Sequence, residues 1–191
     1  APPVIIPEES KKWASEQKGN NEKPLVMLFP ETVWKTREWP ATYWVDLAWK
    51  LHSMNLDVRI FTHDKNDKFK NTPSFYWGQN WTNLAALMQL SLVVIGNDSG
   101  PVNVAGTLDV PALALCGPTT AVCFSHVPSV EVVTSALECT GCYFGEPFRA
   151  ACDQGCRSLF MLEPELVVTK IKRMLRPTNI DKIKKVLATF N

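Results

Sequence analysis

Five short, mostly apolar runs separated by helix-patterned segments constrain this chain more than any other feature. They are LVMLF from Leu25, DVRIF from Asp57, LVVIG from Leu92, PALALC from Pro111 and VEVV from Val130. Runs of this length that are apolar throughout suit strands buried on both faces, as in parallel sheets. Between the first two, Trp44, Leu47, Ala48, Leu51 and Met54 recur at helical spacing, Asp46, Lys50 and Ser53 take the opposite face, and Pro40 opens the segment. TNLAALMQL and PVNVAGTL read as the next two helices. Strand and helix therefore alternate, which predicts an α/β fold with a mostly parallel sheet and helices on both faces. Such sheets take ligands beyond the carboxyl ends of their strands. The loops Pro30 to Trp39 and Gly96 to Pro101 both follow strands at that edge.

With 191 residues the chain is long enough for one domain. The Pro-, Glu-, Lys- and Asn-rich stretch 1–24 reads as a linker or remnant of an interdomain connection, with the domain at 25–191. Val167, Ile171, Met174 and Leu175 mark one C-terminal helix, and Ile180, Ile183, Leu187 and Phe190 a second, both within 163–190. Lys182, Lys184 and Lys185 fall on the solvated side of that last helix. Twenty basic against nineteen acidic residues give a net charge of +1, which argues against a nucleic-acid partner. No stretch approaches the roughly 20 consecutive apolar residues of a membrane helix, and the first residues lack the pattern of a signal peptide. The expected location is cytoplasmic, at most peripheral to the inner face of the membrane.

Four of the six cysteines, Cys139, Cys142, Cys152 and Cys156, fall within eighteen residues. A Cys-x2-Cys pair followed by a Cys-x3-Cys pair is metal-site spacing, and four thiolates close a tetrahedral shell with no open position, which suits a structural zinc or iron. Two disulfides or free thiols are the alternatives. Cys116 is expected to be a buried strand thiol, and Cys123 has no evident partner. His63 and His126 belong to no pattern that assigns them a role. In NDSGPVNVAG, the next helix aims its free N–H groups and positive dipole end at whatever binds the loop, which makes Asp98, Ser99, Gly100 and Pro101 candidates for an anion site. Asp98 as a helix cap and Ser99 as a turn residue are the plain alternatives.

The segments PETVWKTREWP and NDSGPVNVAGTLDVPALALCGPTTA, and the cysteine loop followed by LEPELVVTKIKRML, resemble in order and content the C-terminal half of glycosyltransferase family nine, the ADP-heptose heptosyltransferases. The likeness covers about residues 25 to 175. It implies a Rossmann-like, doubly wound domain, the nucleotide-sugar-binding half of a GT-B glycosyltransferase, with ADP-sugar as donor. In the family the first loop runs Pro-Gly and ends Lys-x-Trp-Pro, the lysine contacting donor phosphates; here Glu31 stands for the glycine and Arg37 for the lysine. Arg37 keeps the charge and adds a fork suited to phosphate oxygens. Thr32 and Lys35 are further phosphate candidates. Asp98 to Pro101 match the family's Asp-Ser/Thr-Gly loop, the aspartate lying toward the sugar. Asn103 stands where many members have histidine, and Gly117, Pro118 and Thr119 match the next loop. Asp64 or Asp67 is the expected ribose acceptor.

The resemblance further implies transfer of heptose to a lipopolysaccharide core or protein acceptor. The catalytic base would be an aspartate of an N-terminal acceptor domain, so this chain alone is expected to bind donor without turnover. The resemblance extends to the adhesin-modifying branch, whose members carry an iron-bearing cysteine finger. A different GT-B half, such as a nucleotide-sugar epimerase, and a non-catalytic metal-stapled interaction module are the alternatives.

Overall fold

The structure is a computed structural model that describes residues 4–144 and 155–174. Among these residues six strands form one parallel sheet. The strands are β1 (Leu25–Phe29), β2 (Asp57–Thr62), β3 (Phe75–Trp77), β4 (Val93–Asn97), β5 (Ala112–Leu115) and β6 (Val130–Val133), in the order β3-β2-β1-β4-β5-β6. Every run read as a strand is one, and β1, β2, β4 and β5 are buried along their whole length. The chain moves outward from β1 in one direction and then returns to build on its other side, so the order reverses between β1 and β4. That reversal is the topological switch point of a doubly wound sheet, outside whose carboxyl ends a crevice opens.

The helices are α1 (Glu8–Lys18), α2 (Ala41–Ser53), α3 (Trp81–Gln89), α4 (Gly100–Thr107), α5 (Arg157–Phe160) and α6 (Pro164–Met174). They lie on both faces of the sheet. On one face Leu28, Ile60, Ile95 and Leu113 pack with Trp44, Leu47 and Leu51 of α2 and with Val167 and Ile171 of α6. On the other, Met27, Val94 and Ala112 pack with Ala14, Leu87, Met88, Val102 and Ala105, from α1, α3 and α4. Alternate residues of each strand thus feed two separate cores, as the pleat requires.

Residues 8–18 correct the expectation that the first two dozen residues stay outside the core. They form α1, which carries Glu8 and Glu9 in its first turn and Lys18 in its last, the arrangement favoured by the helix dipole. Ala14 is fully buried, Ile6 joins the same core, and Ser10 Oγ donates to Thr82 Oγ1 of α3 at 3.0 Å. The C-terminal end of α1 is held to the sheet by Arg59. Its guanidinium donates to both carboxylate oxygens of Asp57 (3.1 and 2.8 Å) and to the Gln17 carbonyl (3.0 Å). A buried arginine satisfied in this way fixes a polar seam in place. The structure also adds β3, which pairs Phe75, Tyr76 and Trp77 with Ile60, Phe61 and Thr62.

The helix expected around Val167 to Leu175 is α6; the second C-terminal helix, with Lys182, Lys184 and Lys185, lies outside the described residues. No helix among the described residues is long and apolar enough to cross a membrane.

Candidate functional site

A cavity of about 1000 Å³ opens at the carboxyl end of the sheet, walled by the segments that follow β1, β2 and β4. Its volume is at the upper end of the roughly 300–1000 Å³ usual for small-molecule sites. Thr32, Lys35 and Arg37 line it from the β1 loop, and Asp98, Ser99, Gly100 and Pro101 from the β4 loop, so the two loops singled out in the sequence face each other. The switch point brings them together, since β1 and β4 are neighbours in the sheet although some sixty residues apart in the chain.

The β1 loop is anchored from beneath. Asn97, fully buried at the end of β4, accepts the Trp39 backbone N–H on Oδ1 (3.0 Å) and donates its amide to the Pro30 carbonyl (2.7 Å). One side chain thereby satisfies both ends of the loop. Trp39 is 2% exposed, donates its indole N–H to the Leu162 carbonyl at 2.7 Å and meets Trp44 edge to face at 5.0 Å. Although Trp39 borders the cavity, its side chain is almost wholly committed to packing, and it anchors the loop two residues beyond Arg37.

Arg37 reaches across the switch point. Its Nη1 lies 3.4 Å from Asp98 Oδ2 and 3.5 Å from the Asp98 carbonyl. The guanidinium carbon sits 4.2 Å from the centre of the Trp34 ring and 5.7 Å from that of Tyr143. Behind Asp98, α4 begins at Gly100 with its N-terminus toward the cavity; its first turn has amides without intrahelical acceptors, except at Pro101, which has none to offer. Arg37 and the N-terminal end of α4 thus face the same space, with the Asp98 carboxylate between them offsetting the guanidinium charge. Gly100 lies beneath Trp81, whose ring would meet an added Cβ at 3.3 Å.

Lys35 is at the rim, well exposed and paired with Glu38 at 2.8 Å. Glu31 turns along the rim toward β2, where Oε2 accepts the His63 backbone N–H (2.7 Å) and Oε1 the Asn66 side-chain amide (3.2 Å). The carboxylate is thus committed to holding the β1 and β2 loops together. Asp64 and Asp67 do not line the cavity. Asp64 is exposed and pairs at 3.1 Å with the His63 imidazole, whose pKa the carboxylate raises, while Asp67 begins a 3₁₀ turn. The expected ribose acceptors are therefore misplaced, because the loop after β2 turns its carboxylates outward. Lys68, His63, Asn66, Phe61 and Trp81 do line the cavity, and none of them stands in a motif that marks it as a site residue. Their proximity follows from the strand order, not from any local motif.

Three further candidates stand outside the cavity lining. Asn103 is exposed on α4 and donates its amide to the Ser99 carbonyl (3.0 Å). Thr119 is buried next to Cys116. Gly117 is small for an internal reason: a Cβ there would fall 2.6 Å from Leu159 Cγ and 2.7 Å from Cys156 Sγ. Burial pushes the Cys116 thiol up to about 12, the nearby Asp98 charge adding to the effect, so it is protonated at neutral pH and is no nucleophile.

Of the cysteine cluster, Cys139, Cys142 and Cys156 are described and Cys152 is outside the described residues. No group of three or more His, Cys, Asp or Glu side chains able to hold an ion occurs among the described residues. Both ends of the segment nonetheless converge on one loop. The Gly141 and Tyr143 backbone N–H groups donate to the Gly117 and Pro118 carbonyls, each at 2.9 Å, and Cys156 packs on Gly117.

The model of glycosyltransferase family 9 (heptosyltransferase) matches residues 3–146. The chain belongs to that family. Lipopolysaccharide heptosyltransferase 1 of Pseudomonas aeruginosa is 28% identical over 107 residues, a match covering 50% of this chain and 29% of that protein. The E. coli ADP-heptose lipopolysaccharide heptosyltransferase II has the same fold, with a TM-score of 0.68 at 20% identity, over 91% of this chain and 53% of the other. TibC, an iron-containing dodecameric glycosyltransferase from enterotoxigenic E. coli, superposes with a TM-score of 0.65 at 17% identity, over 82% of this chain and 47% of its own. The chain spans about half the length of these solved structures. The family match includes α1, in keeping with its place in the core.

Proposed function

We propose that this chain is the donor-binding half of a heptosyltransferase-like glycosyltransferase, taking ADP-heptose as donor and transferring heptose to a lipopolysaccharide core or protein acceptor. The observation that carries the reading is the meeting of Arg37 and Asp98 across the switch point, at the N-terminus of α4 and inside the large cavity. A diphosphate placed there meets Arg37 and the α4 amides, with Thr32, Lys35, Ser99, Gly100 and Pro101 around it. These groups stabilise the negative charge that grows on the departing nucleoside diphosphate as the sugar leaves. Asp98, on the sugar side of the arginine, orients the transferred ring. The base that deprotonates the acceptor hydroxyl belongs to an N-terminal acceptor domain of the same enzyme. Residues 1–24 on this reading include the connection to that domain, and the whole works at the cytoplasmic side of the membrane.

Titration calorimetry of the purified chain with ADP, UDP and GDP tests the reading. ADP is expected to bind, and more tightly than the other two; no heat with any of them rejects a nucleotide-sugar site. In the full-length enzyme Asp98→Asn is expected to slow sugar transfer more than it weakens ADP binding. Loss of ADP affinity with undiminished turnover of bound donor reverses that division of roles.

We further propose that Cys139, Cys142, Cys152 and Cys156 close one structural metal shell, of zinc or iron. The spacing of the two pairs supports it, as does the convergence of both ends of the segment on Gly117 and Pro118. Such an ion would hold a loop with few apolar residues of its own, its binding energy acting as folding energy. Elemental analysis of protein purified under reducing conditions is expected to find close to one ion per chain. Serine at any one of the four positions should lower that content alike, and Cys116→Ser should leave it unchanged. No metal, with two intact disulfides by mass spectrometry, rejects the shell.

A further inference from the structure

The cation of the site is not held by its ion pair alone. Arg37 lies against Trp34, from its own loop, and on the same side meets Tyr143, from the cysteine-bearing segment more than a hundred residues later. The two rings are themselves in contact, with centroids 5.3 Å apart at 53°. Arg37 Nε is buried and has no hydrogen-bond partner among the described residues, so the aromatic faces and Asp98 are what orient the guanidinium. Tyr143 in turn is fixed by its backbone, through the bond from its N–H to the Pro118 carbonyl, and Gly141 adds the bond to Gly117. Gly141 has φ +81°, and a Cβ there would fall 2.2 Å from Thr120 Cγ2, so the approach of this segment to the β5 loop depends on glycine.

We propose that Tyr143 is a positioning residue for the donor site, backing the Trp34 ring and extending the aromatic surface on which the Arg37 guanidinium rests. The proposal rests on the functional reading above. An aromatic face stabilises a guanidinium and restricts its rotamers without competing for its N–H groups, so the donors stay available to phosphate oxygens. Because the ring is carried next to Cys142, any state of the cysteine segment that moves Tyr143 is transmitted to the arginine.

The test uses ADP and AMP as ligands and the Arg37 Nε–Hε nuclear magnetic resonance signal as a ligand-free readout. Tyr143→Ala is expected to weaken ADP binding roughly 2- to 5-fold, the scale of an exposed cation–π contact, with a smaller change for AMP. Tyr143→Phe should retain the wild-type affinity. In an Arg37→Ala background Tyr143→Ala should change nothing further, since it acts through the missing guanidinium. The Arg37 signal should be ring-shifted in the wild type and in Tyr143→Phe, and should collapse toward that of free arginine in Tyr143→Ala. An unmoved signal overturns the proposal, as does unchanged ADP affinity or an equal loss with and without Arg37. If the wild type binds no nucleoside diphosphate, the functional reading falls, and the Arg37 signal by itself decides whether Tyr143 positions the guanidinium.

Discussion

Replacing Trp39 with alanine is expected to destabilise the chain by about 3–5 kcal/mol, the usual range for truncating a large buried aromatic. Three losses combine. The indole leaves a cavity between α2 and the segment at Leu162, where it now meets Trp44 and Tyr43 edge on. The Leu162 carbonyl loses its 2.7 Å donor while buried. The backbone of the β1 loop, pinned at the Trp39 N–H by Asn97, becomes free to move. Trp39→Phe is expected to recover most of the packing but not the hydrogen bond, and so to fall between the two. Chemical denaturation of the three proteins checks this order, and a loss below about 1 kcal/mol for alanine would contradict the anchoring role. The variant also tests whether loop position reaches the cavity, because Arg37 is only two residues away.

What the sequence disclosed divides along physical lines. β1, β4 and β5 were legible because strands buried on both faces must be apolar at every position, as LVMLF and ALAL are. α2 was legible because its apolar stripe is one-sided and Pro40 marks its start. α1 was not, since EESKKWASEQK buries only Ser10 and Ala14 among mostly polar residues and depends on α3 and Arg59 for its place. β3 was not, because three residues at an edge carry no period. Within the site, Arg37 and Asp98 could be named in advance because each follows a strand in a distinctive loop. The role of Glu31 could not, because it depends on the partners His63 and Asn66, which only the pairing of β1 with β2 supplies. The same is true of Lys68 and Trp81, and of Tyr143 beside Arg37, a contact between segments more than a hundred residues apart in the chain. Gly117 could be named from the family's loop pattern, but not the reason it is small, which is the packing of Leu159 and Cys156 against it.

Arg37→Ala is expected to weaken ADP binding by about 1.5–3 kcal/mol, the range for hydrogen bonds to charged groups, which is roughly a 10- to 150-fold rise in Kd. The sign follows from what the variant leaves behind. Asp98, now 3.4 Å from the guanidinium, would face the diphosphate as an uncompensated carboxylate at the mouth of α4. The variant therefore loses an attraction and uncovers a repulsion. Arg37→Lys separates the two effects: the ammonium retains the charge that offsets Asp98 but has neither the planar fork nor the full stack on Trp34. Its affinity should lie between the wild type and alanine, and its binding should weaken more steeply with added salt than the wild type's, since a hydrated point charge at the cavity wall is screened more readily than a stacked, partly buried guanidinium. Calorimetry with ADP at two ionic strengths measures both. Wild-type affinity in a folded Arg37→Ala protein would show that the diphosphate is held elsewhere, and would leave the α4 N-terminus as the site's remaining anion-binding group.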